Sequence, residues 1–157
     1  MQTQVARILG IAITSLFCFS LNAQENGDLS SKIRHNSLSI YAGLFDEFNI
    51  NYERNILQRP QSYTNIRLGF GNASFITAGD GLYINPSLVH LIGKKNSHLE
   101  LNIGIKYIVN YPDPKLSLVL VPDLFAGYRF EKPSGGIILR IGLNYPTIIN
   151  LGIGIKF

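Results

Sequence analysis

Apolar and polar residues alternate along most of the chain. The clearest stretch is HLELNIGIKY, residues 98–107. One face carries Leu99, Leu101, Ile103, Ile105 and Tyr107, and the other carries Glu100, Asn102, Gly104 and Lys106. Side chains share a face every second residue in a strand, whereas a helix repeats every 3.6 residues. The pattern therefore predicts a β-strand.

Alternation of this kind marks eight segments in all, of which 82–92 is less regular, and predicts an all-β fold. The segments are 38–44, 48–54, 65–71, 82–92, 98–107, 124–131, 137–145 and 150–157. Turn-like stretches such as FDEF, GKKNSH and EKPSGG separate them, and the longest expected loops are NASFITAGDG and NYPDPKLSLVL. An even number of such strands predicts an eight-stranded antiparallel up-and-down β-barrel over residues 38–157. Pro86 and Pro122 each lack a ladder donor, so each predicts a bulge, a strand end or a misplaced boundary.

The composition of the two faces indicates which one points into the barrel. The polar face is rich in glycine and carries charges of both signs, as a narrow filled interior requires. The predicted charge network inside consists of Glu53, Arg67, Glu100, Lys106, Asp123, Arg129, Arg140 and Lys156. The other face is apolar, with aromatic residues near the segment ends, which is typical of a transmembrane barrel. A soluble periplasmic barrel, with an apolar interior that binds a hydrophobic ligand, is the alternative.

The first 23 residues have the layout of a secretory signal peptide. Arg7 precedes an apolar run from Ile8 to Leu21, and Ala23 offers a small residue for cleavage. The run is shorter than the roughly 20 residues of a spanning helix. Residues 24–37 form a polar lead-in, expected to be flexible. Export and an alternating barrel together predict the outer membrane of a Gram-negative cell.

The net charge of +4 does not indicate a nucleic-acid partner. The basic residues are scattered, with only Lys94 and Lys95 adjacent, and a phosphate-binding surface normally needs a clustered patch. We expect contact with outer-membrane lipid, no nucleic acid, and a monomer.

The last eight residues, NLGIGIKF, resemble the C-terminal recognition signal of outer-membrane β-barrels. The matching positions are Asn150, Gly152, Ile155 and the terminal aromatic Phe157. The resemblance implies that this strand engages the barrel-assembly machinery.

The C-terminal half also resembles the small outer-membrane β-barrel proteins that are widespread in Bacteroidota. The similar stretches are GLYINPSLVHLIGKKNSHLELNIGIKY and FAGYRFEKPSGGIILRIGLNYP. Many proteins of this kind have no assigned activity, so the resemblance implies a fold and a location more than a function.

A lipid-acting enzyme, of the lipid A deacylase or acyl transferase type, is the second function to consider. Nucleophilic hydrolysis needs a hydroxyl, a base and an orienting acid in contact. The candidates are His35, His90, His98, Ser87, Ser97 and Glu100. A turn at GKKNSH places Ile92 opposite Leu99, His90 opposite Leu101 and Ser87 opposite Gly104. Ser87 would then lie about 17 Å from His98. The sequence carries no cofactor or metal motif, and we expect a structural or interaction protein without catalysis.

Overall fold

The computed structural model of the protein describes residues 35–44, 47–75, 79–110, 118–132 and 134–157. The predicted signal peptide and the lead-in up to residue 34 lie outside the described residues. Eight strands account for almost all of the described chain. They are β1 (Asn36–Gly43), β2 (Glu47–Arg59), β3 (Ser62–Phe75), β4 (Gly79–Lys94), β5 (Ser97–Asn110), β6 (Leu118–Glu131), β7 (Gly136–Tyr145) and β8 (Ile148–Lys156).

The strands close into a barrel in which each one pairs with its sequence neighbours and β8 pairs with β1. All eight pairings are antiparallel. The expected pairs Ile92–Leu99, His90–Leu101 and Ser87–Gly104 are present. The predicted eight-stranded up-and-down barrel is thus confirmed. No described residue belongs to a helix long and apolar enough to cross a membrane.

Several strands extend further than the alternation predicts. The stretch 72–81, expected as a loop, lies mostly in β3 and β4, which pair from Asn72–Leu82 to Phe75–Gly79. The residues at 71–74 give little apolar signal in the sequence. In the structure β3 and β4 pair with each other there, and this pairing outweighs the weak strand preference of the residues. β6 likewise begins at Leu118, inside the second expected loop. The rest of that loop, residues 111–117, lies outside the described residues.

The two prolines lie within strands rather than at bulges or strand ends. Pro86 pairs with Leu68 of β3, and the β4–β5 ladder lacks pairs at Asn85 and Pro86 but resumes in the same register at Ser87. Pro122 pairs with Ile105 of β5 and lies beyond the first β6–β7 pair, Leu124–Tyr145. Proline has no backbone N–H to donate, and each of these prolines pairs with only one of its two neighbouring strands: Pro86 has no partner on β5, and Pro122 has none on β7.

The barrel wall has a tall side and a short side. β4 has 16 residues, whereas β1 and β8 have 8 and 9. At the end of the barrel away from Asn36 and Phe157, β3 to β6 continue past β7, β8 and β1. Residues 118–123 of β6 thus pair with β5 but not with β7.

Burial is inverted relative to a water-soluble protein. Large apolar side chains such as Ile103, Ile141 and Leu143 are exposed, at 61%, 53% and 66%. The interior instead holds asparagine and charged side chains, with the few buried apolar residues set among them. This is the opposite of the apolar interior that a soluble barrel needs in order to bind a hydrophobic ligand. The expected assignment of the two faces is therefore correct.

Candidate functional site

The barrel interior, called the lumen below, gathers the residues of the predicted charge network. All eight are buried on inward faces of strands β2, β3 and β5 to β8. The structure adds Glu131, which is 1% exposed. Its place two residues after Arg129 puts both on the same face of β6, a signal present in the sequence. Four buried acids, not three, thus accompany five bases among the described residues: Glu53, Glu100, Asp123 and Glu131 with Arg67, Lys106, Arg129, Arg140 and Lys156.

Glu53 and Glu100 together hold the arginines of the network. Glu100 lies 2.6 Å from Arg67, 3.4 Å from Arg140 and 3.6 Å from Arg129. Glu53 Oε1 lies 2.7 Å from Arg67 Nη2, and Glu53 Oε2 lies 2.8 Å from Arg129 Nη1. The hydroxyl of Tyr41 and the amide of Asn65 also donate to this carboxylate, each at 3.0 Å. A buried charge is tolerated only when it is paired and hydrogen-bonded in this way.

Arg140 lies between two aromatic rings. Its Cζ is 3.9 Å from the ring centroid of Tyr41 and 3.7 Å from that of Phe125. The nearest acid is Glu100, at 3.4 Å from Nη2, and the Nε and Nη1 atoms have no hydrogen-bond partner among the described residues. Cation–π attraction strengthens when the cation is desolvated. The stack places three planar groups side by side in the lumen.

Gly152 makes the stack possible. A Cβ at this position would lie 2.6 Å from Tyr41 Cε1 and 2.7 Å from Arg140 Cγ, which is closer than packed atoms tolerate. Glycine at 152 thus allows Tyr41 and Arg140 to approach the wall of β8. This packing explains the residue independently of any recognition signal.

A second cluster surrounds Glu131 near the end of the barrel where Asn36 and Phe157 lie. Lys156 Nζ lies 2.5 Å and Arg129 Nε lies 2.6 Å from this carboxylate. The hydroxyl of Tyr63 also donates to Glu131. Arg129 therefore links this cluster to Glu53.

The third cluster surrounds Asp123 and lies on the other side of Glu53 from the Glu131 cluster. Lys106 Nζ is 3.3 Å from Asp123 Oδ1, while Asn85 and Asn102 donate to Asp123 Oδ2, each at 2.8 Å. Further inward-facing asparagines continue this layer: Asn49, Asn51, Asn144 and Asn150. The free space among them is about 10 Å³, which corresponds to about one water molecule.

The residues of the predicted assembly signal divide between the two faces. Asn150 is buried in the lumen, whereas Ile155 and Phe157 are exposed on the outer face. The backbone of Phe157 is tied to β1, since its N–H donates to Asn36 O at 2.8 Å and its carbonyl accepts from Asn36 N at 3.1 Å. Recognition by assembly machinery stays a prediction.

The candidate catalytic residues do not come together. His98 and Glu100 face the lumen, while His90 lies on the outer face, where its Nδ1 is 2.9 Å from Thr64 Oγ1. Ser97 contacts the hydroxyl of Tyr128 instead of a histidine. Within the described ranges, no cluster of three or more His, Cys, Asp or Glu residues is arranged to hold a metal ion.

The fold is shared with known membrane barrels. The N-terminal β-barrel domain of Pseudomonas aeruginosa OprF matches with a TM-score of 0.52 and 10% identity, over 81% of this chain and 98% of that one. A chain from the de novo design of transmembrane β-barrels matches with a TM-score of 0.53 and 8% identity, over 83% of this chain and 98% of that one. No protein-family model matches the sequence, and no curated protein does. The likeness lies in the fold.

Proposed function

We propose that the protein is an integral outer-membrane β-barrel with a closed polar lumen and a structural or interaction role rather than a catalytic one. The observation that carries this proposal is the inverted burial, with charges inside a closed barrel and apolar side chains outside. In hydrocarbon every backbone polar group needs a partner, and a closed barrel provides one for each ladder position. The predicted signal peptide and the resemblance to Bacteroidota barrels support the same location.

The packing of the lumen supports a barrel that does not conduct. Eight strands enclose space for side chains rather than for a channel. Arg140 is stacked between Tyr41 and Phe125, and the asparagine layer beside it leaves only about 10 Å³. An ion crossing the lumen would have to displace this stack and break the ion pairs of Glu53.

Conductance of the purified protein in planar bilayers tests the proposal. The wild-type barrel should show no steady open pore. The double variant Phe125→Ala/Arg140→Ala should show more frequent openings, because it removes two layers of the stack. Leu124→Ala is the matched control, since Leu124 neighbours Phe125 but is exposed on the outer face. A large, ohmic wild-type conductance would instead indicate a porin.

A lipid-acting enzyme is the second candidate, favoured by the Thr64–His90 contact on the outer face, where lipid would lie. The hydroxyl would attack an acyl ester carbonyl while the imidazole takes its proton and returns it to the departing alcohol as the original ester bond breaks. Water would then hydrolyse the acyl-threonine and release the fatty acid. Neither residue has an orienting acid among the described residues, which places this candidate second. Mass spectrometry should find different lipid A acylation in wild-type and Thr64→Val cells if the candidate is right, and identical acylation if it is wrong.

A further inference from the structure

The barrel has a cavity at the end that carries the two-residue turns Pro60-Gln61 and Lys95-Asn96. It encloses about 180 Å³ and is called the vestibule here; its charged or titratable lining includes Arg59, Lys94, Lys95, His98, Glu131 and Lys156. We propose that the vestibule binds a small, multiply charged oxyanion of the phosphate type. This site lies outside the stack that closes the lumen, and it does not depend on whether the barrel conducts.

The charge of the vestibule is positive. Its lining carries four cationic side chains and one carboxylate, that of Glu131. This carboxylate is already held by Arg129, Lys156 and Tyr63. Arg59, Lys94 and Lys95 add positive charge at the exposed rim, and a concave site lined by one sign of charge concentrates counter-ions.

His98 provides a buried polar group at the inner side of the vestibule. It is 5% exposed, and its Nδ1 has no hydrogen-bond partner within the part of the chain that the structure describes. Its ring packs edge-on against Tyr63 at 5.3 Å between centroids. A buried polar atom without a partner is costly. The other ring nitrogen donates to the backbone of Arg129, so Nδ1 can donate only when the ring is doubly protonated, a charge state that a bound anion favours. In that state an oxyanion oxygen would accept a hydrogen bond from Nδ1.

The neighbouring backbone leaves room for that ring. A Cβ at Gly93 would lie 2.8 Å from His98 Cα and 3.1 Å from His98 Cδ2. Any side chain at position 93 would therefore press on His98. Glycine here keeps the imidazole at the cavity lining.

Lys95 is placed at the rim against its backbone preference. Its φ is 60°, in the left-handed region where glycine and asparagine are favoured. A lysine at this turn position is therefore better explained by its ammonium group than by the turn.

Because ligand pockets for drug-sized molecules usually enclose about 300–1,000 Å³, the vestibule suits a group of only a few heavy atoms.

Titration of the refolded barrel, residues 24–157 in detergent micelles, with sodium phosphate tests the proposal. At constant ionic strength, the ring resonances of His98 and the amide resonance of Lys95 should shift saturably. Lys95→Gly should raise the dissociation constant about tenfold, equivalent to about 1.4 kcal/mol, and glycine suits the local backbone, so folding should be preserved. Lys132→Ala is the control, because Lys132 is an exposed lysine of the β6–β7 turn that does not line the vestibule.

A parallel titration with sodium succinate identifies the source of the oxyanion. Saturation by phosphate alone supports a phosphate ligand, and equal saturation by both supports the oxyanion class with a carboxylate as its natural source. Absence of saturation with either anion overturns the proposal. So does an equal loss of affinity in Lys95→Gly and Lys132→Ala, which would mean that general surface charge attracts the anion.

Discussion

Arginine placed at two depths of one strand tests whether the outer face meets lipid. Five residues of β7 point outward, and Ile141 is the middle one of Ile137, Leu139, Ile141, Leu143 and Tyr145. Ile137 and Ile141 are similarly exposed, at 60% and 53%. They lie four residues apart, or about 13 Å along the strand, and a strand tilt of about 40° converts this into about 10 Å of depth. Ile137 should therefore lie near an interface when Ile141 is near the midplane.

The two substitutions should differ in cost. Arginine at the midplane of a membrane barrel costs about 2–4 kcal/mol, and near an interface about 0–1 kcal/mol. Ile141→Arg should thus lose about 2–3 kcal/mol more unfolding free energy than Ile137→Arg. In water, neither change would exceed about 0.5 kcal/mol, because exposed substitutions are usually near neutral.

Equilibrium unfolding by denaturant in phospholipid vesicles measures the difference. The folded fraction can be read from the heat-modifiable band on unboiled gels, with tyrosine fluorescence as a second probe. Equal losses in the two variants, or no loss in either, would refute the membrane-embedded outer face.

Two further changes probe the lumen and the C-terminal strand. Glu53→Gln keeps the shape of the side chain but removes one of the two carboxylates shared by buried Arg67 and Arg129, which keep Glu100. It should therefore cost about 2–3 kcal/mol in the same unfolding assay. Glu131→Gln should cost less, because Lys156, one of its two basic partners, is 10% exposed; the reverse order would contradict this dependence on burial. Deleting Phe157 or changing it to Asp should lower the amount of folded protein in cells and induce envelope stress. Phe157→Leu is the control and should have little effect. An unchanged amount of folded Asp variant would count against an assembly signal.

Local alternation is enough to predict eight strands, although not their full lengths, and to predict which residues share a face, because successive side chains of a strand point to opposite sides. It also predicted the β4–β5 register from the position of one turn. The ion pairs were not predictable in the same way. Glu53 and Arg129 are 76 residues apart, and they meet only because closure of the barrel and the stagger of its strands bring β2 and β6 to the same height across the lumen.

Residues at the segment ends were harder to assign. Glu131 is missing from the charge network predicted from the sequence, although its place two residues after Arg129 puts both on the same face of a strand. The stretch 72–81 is predicted as a loop because its small and polar residues interrupt the apolar alternation, whereas the pairing of β3 with β4 places residues 72–75 and 79–81 in strands. The Arg140 stack could not be foreseen, because it depends on Gly152 and Tyr41 approaching one another across the β8–β1 closure.

The unequal height of the wall has a consequence for the surrounding bilayer. A spanning strand needs about 9–11 residues, so β1 and β8, with 8 and 9 residues, are at or below that length, whereas β4, with 16, exceeds it. In the membrane proposed above, a bilayer thick enough for the whole of β4 would therefore be too thick for β1 and β8. Either the acyl chains beside β8 and β1 would shorten, at a fraction of a kcal/mol per Å of mismatch, or the surplus residues of β4 would project into water. Shortening would create a thin sector on one side of the barrel, which favours shorter or more disordered lipids there.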